Sequence, residues 1–414
     1  MIPQADRVVA IVAMAQSVHA ARWVAMLRNS GLRIVVVPVL SAPNSPELEP
    51  CRLVRTRSEA LTLAPGEVGV FDLSAISEEK ARSIDVAKGY AWPGHPAYPE
   101  HFRPVPAHSI ETALRWLKPD LVHSLEVQFA GYVTLEAKRR FGSDAFPPWL
   151  LSNWGSDVML FRKLAAHAPI IDRVFQEIDA YWSECARDIG IARDLGYGGP
   201  AFDPMPASGG MSFSGLDASL PSTRKLLLIK GYHGWSGRGH HILSSLYMAA
   251  EHLRDYQVRV MFANDATTGL LREIADRTGL DVAPEPYALQ HSHAMARLSR
   301  ARMVVGLGIS DGISTTLLEA MAVGAFPILA NSSCACEWIR SGIDGFVVDP
   351  HDTRALADAI VTAASDNAMV DAAAPRNREV IARRWNPDIN GPIVLAHYDE
   401  LMSGRQARIR GRAE

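Results

Sequence analysis

The stretch SDGISTTLLEAMAVGAFPI, residues 310–328, sets seven residues between Asp311 and Glu319. The apolar run Met303 to Leu307 before it predicts a buried strand, Gly308 to Ile313 a turn, and Ser314 onward a helix. A helix start presents backbone N–H groups and the positive end of its dipole, so Ser314, Thr315 and Thr316 favour an anion such as a phosphate. The two carboxylates are acceptors suited to hydroxyl donors. Anion and polyol recognition side by side fits a sugar joined to a phosphate.

With 414 residues the chain exceeds one ordinary core, and two domains are expected. At 48% hydrophobic and 21% charged residues it is globular in composition. A net charge of −3 supplies no field for nucleic acid, so none is expected as a partner. The basic tail, Arg405, Arg408, Arg410 and Arg412, reads as a solvated terminus or as a contact with an anionic membrane or lipid-linked substrate.

Cys51, Cys185, Cys334 and Cys336 lack paired CxxC spacing, which points to a reducing compartment, and Cys334 and Cys336, two apart, read as small packing residues. No apolar run reaches the roughly 18 residues of a membrane span. Val8 to Ala15 follows Asp6 and Arg7 without net positive charge, so it reads as a first strand and not as a signal core. A cytoplasmic protein is expected, with the inner membrane face as the alternative location; oligomeric state is not legible.

Short apolar runs alternate with amphipathic helical patterns in both halves, which predicts α/β layers on parallel sheets. Strands are expected at Val8–Met14, Ile34–Val39, Leu121–Ser124, Trp149–Ser152 and Ala180–Ser183, then at Lys225–Lys230 and Gln257–Phe262. Residues 41–72 and 89–107, rich in Pro and charge and including Trp92 to Pro96, read as functional lips or mobile loops. The stretch Gly196 to Thr223 collects Gly, Pro and Ser and marks a connection. The expected division is 1–200, a linker 201–223, 224–385, and a terminal helix from 386 that crosses back to the first domain before the tail ending at 414. Ligands of such sheets lie beyond the strands' carboxyl ends.

A second constellation, Lys230-Gly231-Tyr232-His233-Gly234-Trp235-Ser236-Gly237-Arg238-Gly239, directly follows a strand. Its glycines allow close backbone approach, and Lys230 and Arg238 can neutralise a departing diphosphate. Arg238 is the favoured ligand. The plain alternative is a surface turn with its charges in solvent. A third, Asn153-Trp154-Gly155-Ser156-Asp157, is a turn after a strand end; Asp157 either orients an acceptor hydroxyl or caps the next helix. His19 and His123 follow apolar strands, and His123, with Glu126 and Gln128 close behind, is the better acceptor-side candidate.

Residues 310–328 resemble the signature of retaining glycosyltransferases of the GT-B fold, sequence family 4, in which Glu, seven residues and Glu precede Ala-Met-Ala-x-Gly-x-Pro. Glu319 to Ala322, Gly324, Pro327 and Ile328 match, and Asp311 stands where the first Glu is usual. The likeness continues through Glu337 to Ile339, Gly342, Asp344 to Val348 and the Pro350 to Leu356 segment. Upstream it covers Val18-His19, Arg22-Trp23, Gly31, Pro119 to His123 and Trp154 to Asp157.

The resemblance implies two Rossmann-like domains facing each other across a deep cleft. It also implies a transferase that moves a sugar from a UDP- or GDP-linked donor, UDP favoured, to a hydroxyl acceptor with retention. Glu319 would hold the ribose hydroxyls, Asp311 a donor-sugar hydroxyl, and the backbone of Gly231, Gly312, Ile313, Ser314, Thr315 and Thr316 would approach the diphosphate. Glu285-Pro286-Tyr287 would meet the base, with Asn264 lining the same pocket.

His291 and His293 lack a carboxylate or Cys at ligand spacing, and no Asp-x-Asp pair is present, so no metal is implied. No cofactor is implied either, the nucleotide-sugar being a substrate. The acceptor is a glycan, a lipid-linked glycan or a small metabolite, with surface-polysaccharide or glycoconjugate assembly the usual setting. Two other readings stand beside this one: a nucleotide-sugar epimerase of the same fold, and a catalytically silent binding partner.

Overall fold

The computed structural model describes residues 6–76, 103–142, 145–212, 219–286 and 291–411. Its contacts divide the chain into two units, Met1–Met211 with Pro387–Glu414, and Ser212–Asn386.

In the first unit the strands are β1 (Val8–Ala13), β2 (Arg33–Pro38), β3 (Leu40–Ser41), β4 (Cys51–Val54), β5 (Val68–Phe71), β6 (Arg103–Pro104), β7 (Leu121–Leu125), β8 (Trp149–Ser152) and β9 (Ala180–Trp182). Seven of them form one sheet in the order β4-β5-β2-β1-β7-β8-β9, and every pairing in it is parallel. β3 and β6 form a separate antiparallel pair. Helices cover both faces of a parallel sheet, so its strands are uninterrupted apolar runs, and β1, β7 and β8 are buried along their whole length.

The segment 41–72 differs from the expected loop: it contributes β4, β5 and the short helix Arg57–Leu61 to the fold. β4 is an edge strand with Arg52 and Leu53 exposed, so it lacks the apolar pattern of a buried strand. β5 is interrupted by Gly69, where a Cβ would meet Val54 and Val35 at 3.0 and 3.1 Å. The cluster Trp92 to Pro96 lies outside the described residues.

The second unit holds β10 (Leu226–Lys230), β11 (Gln257–Met261), β12 (Asp281–Pro284), β13 (Met303–Gly306), β14 (Phe326–Ala330) and β15 (Phe346–Val348), in the order β12-β11-β10-β13-β14-β15. All five pairings are parallel. Each sheet reverses its winding once, between β1 and β7 in the first unit and between β10 and β13 in the second. Open α/β sheets bind ligands at the carboxyl ends of the strands flanking such a reversal.

The terminal helix, Pro387–Gly411, packs on the first unit through buried Val394, Tyr398 and Met402. Tyr398 Oη accepts from Trp23 Nε1 at 3.0 Å, and Arg7 pairs with Asp399 at 2.8 Å. The side chains of Arg405, Arg408, Arg410 and Arg412 lie outside the described residues. Among the described residues no helix is long and apolar enough to cross a membrane.

Candidate functional site

In the second unit the loops leaving β10 and β13 are stitched together at the reversal. Arg238 N donates to Leu307 O at 3.0 Å and Ile309 N to Ser236 O at 2.8 Å. The return of the first loop is tight enough to demand glycine. A Cβ on Gly239 would lie 2.0 Å from the Gly231 carbonyl oxygen, and one on Gly231 would lie 2.2 Å from Val260 Cγ1. The loop thus folds flat over the strand ends and leaves an open pocket of about 450 Å³ including its mouth. Lys230, Tyr232, Ser236, Gly308, Asp311 and Ser314 are in its wall.

Asp311 and Lys230 are half-buried, whereas Gly312, Ile313 and Ser314 are buried. Ser314 stands at the N-cap of the helix Thr315–Val323, and its own side chain makes no capping hydrogen bond. The other end of the same helix is saturated: Val323 O accepts from Arg224 Nη1 and Nη2 at 3.2 Å each and from Arg378 Nη2 at 3.1 Å. Cations at the carboxyl end complement the helix dipole, and the amino end at Ser314 lies in the pocket wall with Lys230. An anion placed there meets backbone N–H groups and an ammonium together.

Glu319 lies one turn into this helix, 8% exposed. Its Oε1 is 2.7 Å from His291 Nε2, at the start of the neighbouring helix His291–Arg300. The sequence weighed His291 only as a metal ligand and not as a partner of Glu319, since a residue 28 positions upstream in another helix shares no periodicity with it.

Arg238, the favoured phosphate ligand from sequence, turns its Nη1 to the carbonyls of Gly234 and Gly237 at 3.1 and 2.9 Å. The pocket wall instead takes Lys230. Around Arg238 the His233 and His240 rings stack at 3.8 Å and 4°. Burial, with the neighbouring His240, Arg238 and His241, lowers the His233 pKa; burial, with His351, Arg238 and His240, lowers that of His241.

Glu285 is 5% exposed and pairs with Arg297 at 3.3 Å, and Tyr287 lies outside the described residues. Asn264 caps the helix Asp265–Thr278 by accepting from Thr267 N at 2.9 Å.

The first unit brings a different set to its strand ends. Glu126, directly after β7, has φ 80° and accepts from the backbone N–H of Gln128, Phe129 and Ala130 at 2.8, 2.5 and 2.5 Å. Asp157 Oδ2 accepts from Val127 N at 3.0 Å and Trp154 N at 2.7 Å. It therefore ties the turn after β8 to the turn after β7 and lies inside the short helix Ser156–Met159, which differs from the helix-capping expectation. Burial raises the pKa of both acids, and each lies near the other's charge.

His123 is corrected as an acceptor-side candidate. It is fully buried, with Nδ1 2.6 Å from Tyr398 Oη and Nε2 2.7 Å from Ser152 Oγ, and burial pushes its pKa down to about 3. Both ring nitrogens are occupied by core hydroxyls, so it has no nitrogen to offer a substrate. His19 meets Trp154 edge-on at 5.5 Å between ring centroids.

Residues 287–380 match the family described as "Glycosyl transferases group 1". No curated relative matches the sequence. Among solved structures, sucrose-phosphate synthase from Thermosynechococcus elongatus superposes with TM-score 0.68 at 14% identity, covering 96% of this chain and 100% of that one. The Anabaena protein HepE, solved with UDP-glucose, gives 0.64 at 12% identity over 96% and 99%. TarM of S. aureus, solved with UDP, Fondaparinux and α-GlcNAc-glycerol, gives 0.57 at 11% identity over 72% and 58%. At these identities the likeness is one of fold. The chain has the GT-B fold, built from two Rossmann-like α/β units, and its second unit carries the group 1 match.

Proposed function

We propose that this chain transfers a sugar from a nucleotide-diphosphate sugar to a hydroxyl acceptor, with retention at the anomeric carbon. The observation that carries the reading is the pocket at the β10/β13 reversal. There Lys230 meets Asp311 and the helix start at Ser314, one turn before Glu319; Asp311 and that helix lie inside the group 1 match.

In this reading the diphosphate lies on the backbone of Gly231, Gly312, Ile313 and Ser314 and on the helix start at Thr315 and Thr316. Lys230 takes up the charge that develops as the bond to the sugar breaks, and Arg238 adds to the local positive field from behind the loop. Glu319 accepts from the ribose hydroxyls and Asp311 from a hydroxyl of the sugar. The C1–O bond to diphosphate breaks, the acceptor oxygen bonds C1 on the same face, and its proton passes to the departing phosphate oxygen. The cationic and N–H groups at the diphosphate would do the work that a divalent ion does elsewhere, so the reaction is proposed to be metal-independent.

A UDP-linked donor is favoured because HepE, alike in fold, was solved with UDP-glucose. A glycan, lipid-linked or small hydroxyl acceptor in surface-polysaccharide or glycoconjugate synthesis on the cytoplasmic side fits the same class. Thermal shift against UDP-, GDP- and ADP-sugars, followed by product analysis with acceptor panels, tests the proposal, since a binder stabilises the fold by mass action. Stabilisation by a UDP-sugar and acceptor-dependent release of UDP, with the product's anomeric configuration unchanged by NMR, are expected. Turnover of the donor to a second nucleotide-sugar without acceptor would replace transfer by epimerisation; binding without any product would replace it by a silent partner.

A further inference from the structure

We infer that His291 is a positioning residue for the donor site, holding the Glu319 carboxylate in the orientation that receives the nucleotide's ribose. The inference rests on the proposed reading of Glu319 and adds to it a residue from another helix.

The geometry assigns the roles. An ionised carboxylate can only accept, so at 2.7 Å the proton between them sits on His291 Nε2. Glu319 has a side-chain exposure of 10% and His291 of 33%, so the contact is shielded on the carboxylate side and reached by solvent from the histidine side. Glu319 projects from the second turn of its helix, and each contact that holds so long a side chain removes rotamer freedom before a ligand has to. A donor on Oε1 favours the rotamer that meets it, and a carboxylate's two oxygens offer about four lone-pair sites in all.

His291 heads its own helix, His291–Arg300, which packs beside Thr315–Val323. The ring is therefore anchored by secondary structure, and it orders Glu319 before the ligand arrives. Pre-ordering of this kind raises affinity by removing an ordering cost at the moment of binding.

The ribose lies far from the breaking bond, so the contact serves ground state and transition state alike. Its loss raises KM and Kd and leaves kcat nearly unchanged.

The test uses UDP, GDP and ADP as calorimetric probes on the full chain, with kinetics on the best donor. His291→Phe keeps the bulk of the ring and removes the donor; binding of the preferred nucleotide is expected to weaken about tenfold, as for loss of a hydrogen bond to a charged group. KM should rise by the same factor and kcat stay within about twofold. His291→Gln places an N–H near the position of Nε2 and should recover most of the affinity. The double variant with Glu319→Ala should bind no more weakly than Glu319→Ala alone.

If His291→Phe binds as tightly as the parent, or more tightly, while Glu319→Ala weakens binding, the positioning role is overturned and the donor site stands. Equal losses in the Phe and Gln variants, matched by a fall in Tm, would make His291 a packing residue and also overturn it. If the unaltered chain binds none of the three nucleotides, the reading of Glu319 falls first and this inference with it.

Discussion

The two sheet reversals share one architecture and solve one electrostatic problem in opposite ways. In the first unit the backbone N–H groups after β7 are taken by the chain's own carboxylate, Glu126, buried to 3% exposure. In the second unit the helix after β13 starts at Ser314, whose own side chain makes no capping hydrogen bond, beside half-buried Lys230 and Asp311. The first unit supplies its own acceptor. The second sets its helix start in a pocket wall with a lysine, and the arginines on Val323 O at the far end of that helix reinforce the polarity. Equivalent positions in a repeated fold therefore need not be equivalent sites, and the protonation state and capping of the turn decide which one can hold an anionic ligand.

The largest expected effect breaks the open side of this comparison. Lys230→Ala should lower kcat by roughly 100- to 1,000-fold, the range for removing one preorganised group from a developing negative charge, with a smaller effect on donor affinity. Arg238→Ala should cost less, because its guanidinium is held by the Gly234 and Gly237 carbonyls. Steady-state kinetics on both variants decides it; a larger loss for Arg238 would return the catalytic charge to the residue that sequence alone favoured.

Glu319→Ala comes next, with nucleotide affinity expected to fall roughly 10- to 100-fold as hydrogen bonds to a charged group are lost. Calorimetry with UDP reads this directly, and an unchanged Kd would remove Glu319 from the site. A more pointed variant makes the second unit imitate the first. Ser314→Asp places a carboxylate at the uncapped helix start, where Asp is a good N-cap, and should raise Tm slightly while weakening donor binding by roughly tenfold. Tighter donor binding by this variant would mean that the helix start is not where the diphosphate lies.

How much of this was legible in the sequence follows from how each feature is held. β1, β7, β8, β10 and β13 read clearly because strands buried on both faces are continuous apolar runs. The turn with Asp311 and Glu319 read clearly because strand, turn and helix start are contiguous. β4 and β5 did not, since an exposed edge and Gly69 break their pattern. His123 was misplaced because its partner Tyr398 lies 275 positions away, in the terminal helix, and nothing local marks that pairing. Glu319 was legible and His291 was not, for the same reason. Local chemistry could be read in the sequence, while contacts across long stretches of chain required the fold.

The smallest effect tests the closed side of the comparison through pH. Glu126 is held by three backbone N–H groups, which favour its ionised form, but burial outweighs them and raises its pKa. Asp157 is raised by burial and then by the charge of Glu126. Between the ordinary carboxylate range and the raised value the folded state keeps a proton that the unfolded chain has released. Stability from this group is therefore full at lower pH and declines as pH rises through the window, by at most about 1.4 kcal/mol per pH unit for one proton. His123 acts with the opposite sign. Its folded value is about 3 against an ordinary 6.5, so its contribution is full above 6.5 and is lost as pH falls below that. The two slopes offset each other on the acid side of 6.5, and above it only the acids act. Glu126→Gln keeps an acceptor for the N–H groups and removes the titration, so its Tm should fall less than that of the parent between pH 6 and pH 8. A difference of a few degrees is expected, at about 2–4 °C per kcal/mol for a unit of this size. Thermal melts across that range read it. Superimposable pH profiles would mean that the three N–H donors keep Glu126 ionised throughout, which would make the first unit's turn a permanent internal anion and widen its contrast with the uncapped helix at Ser314.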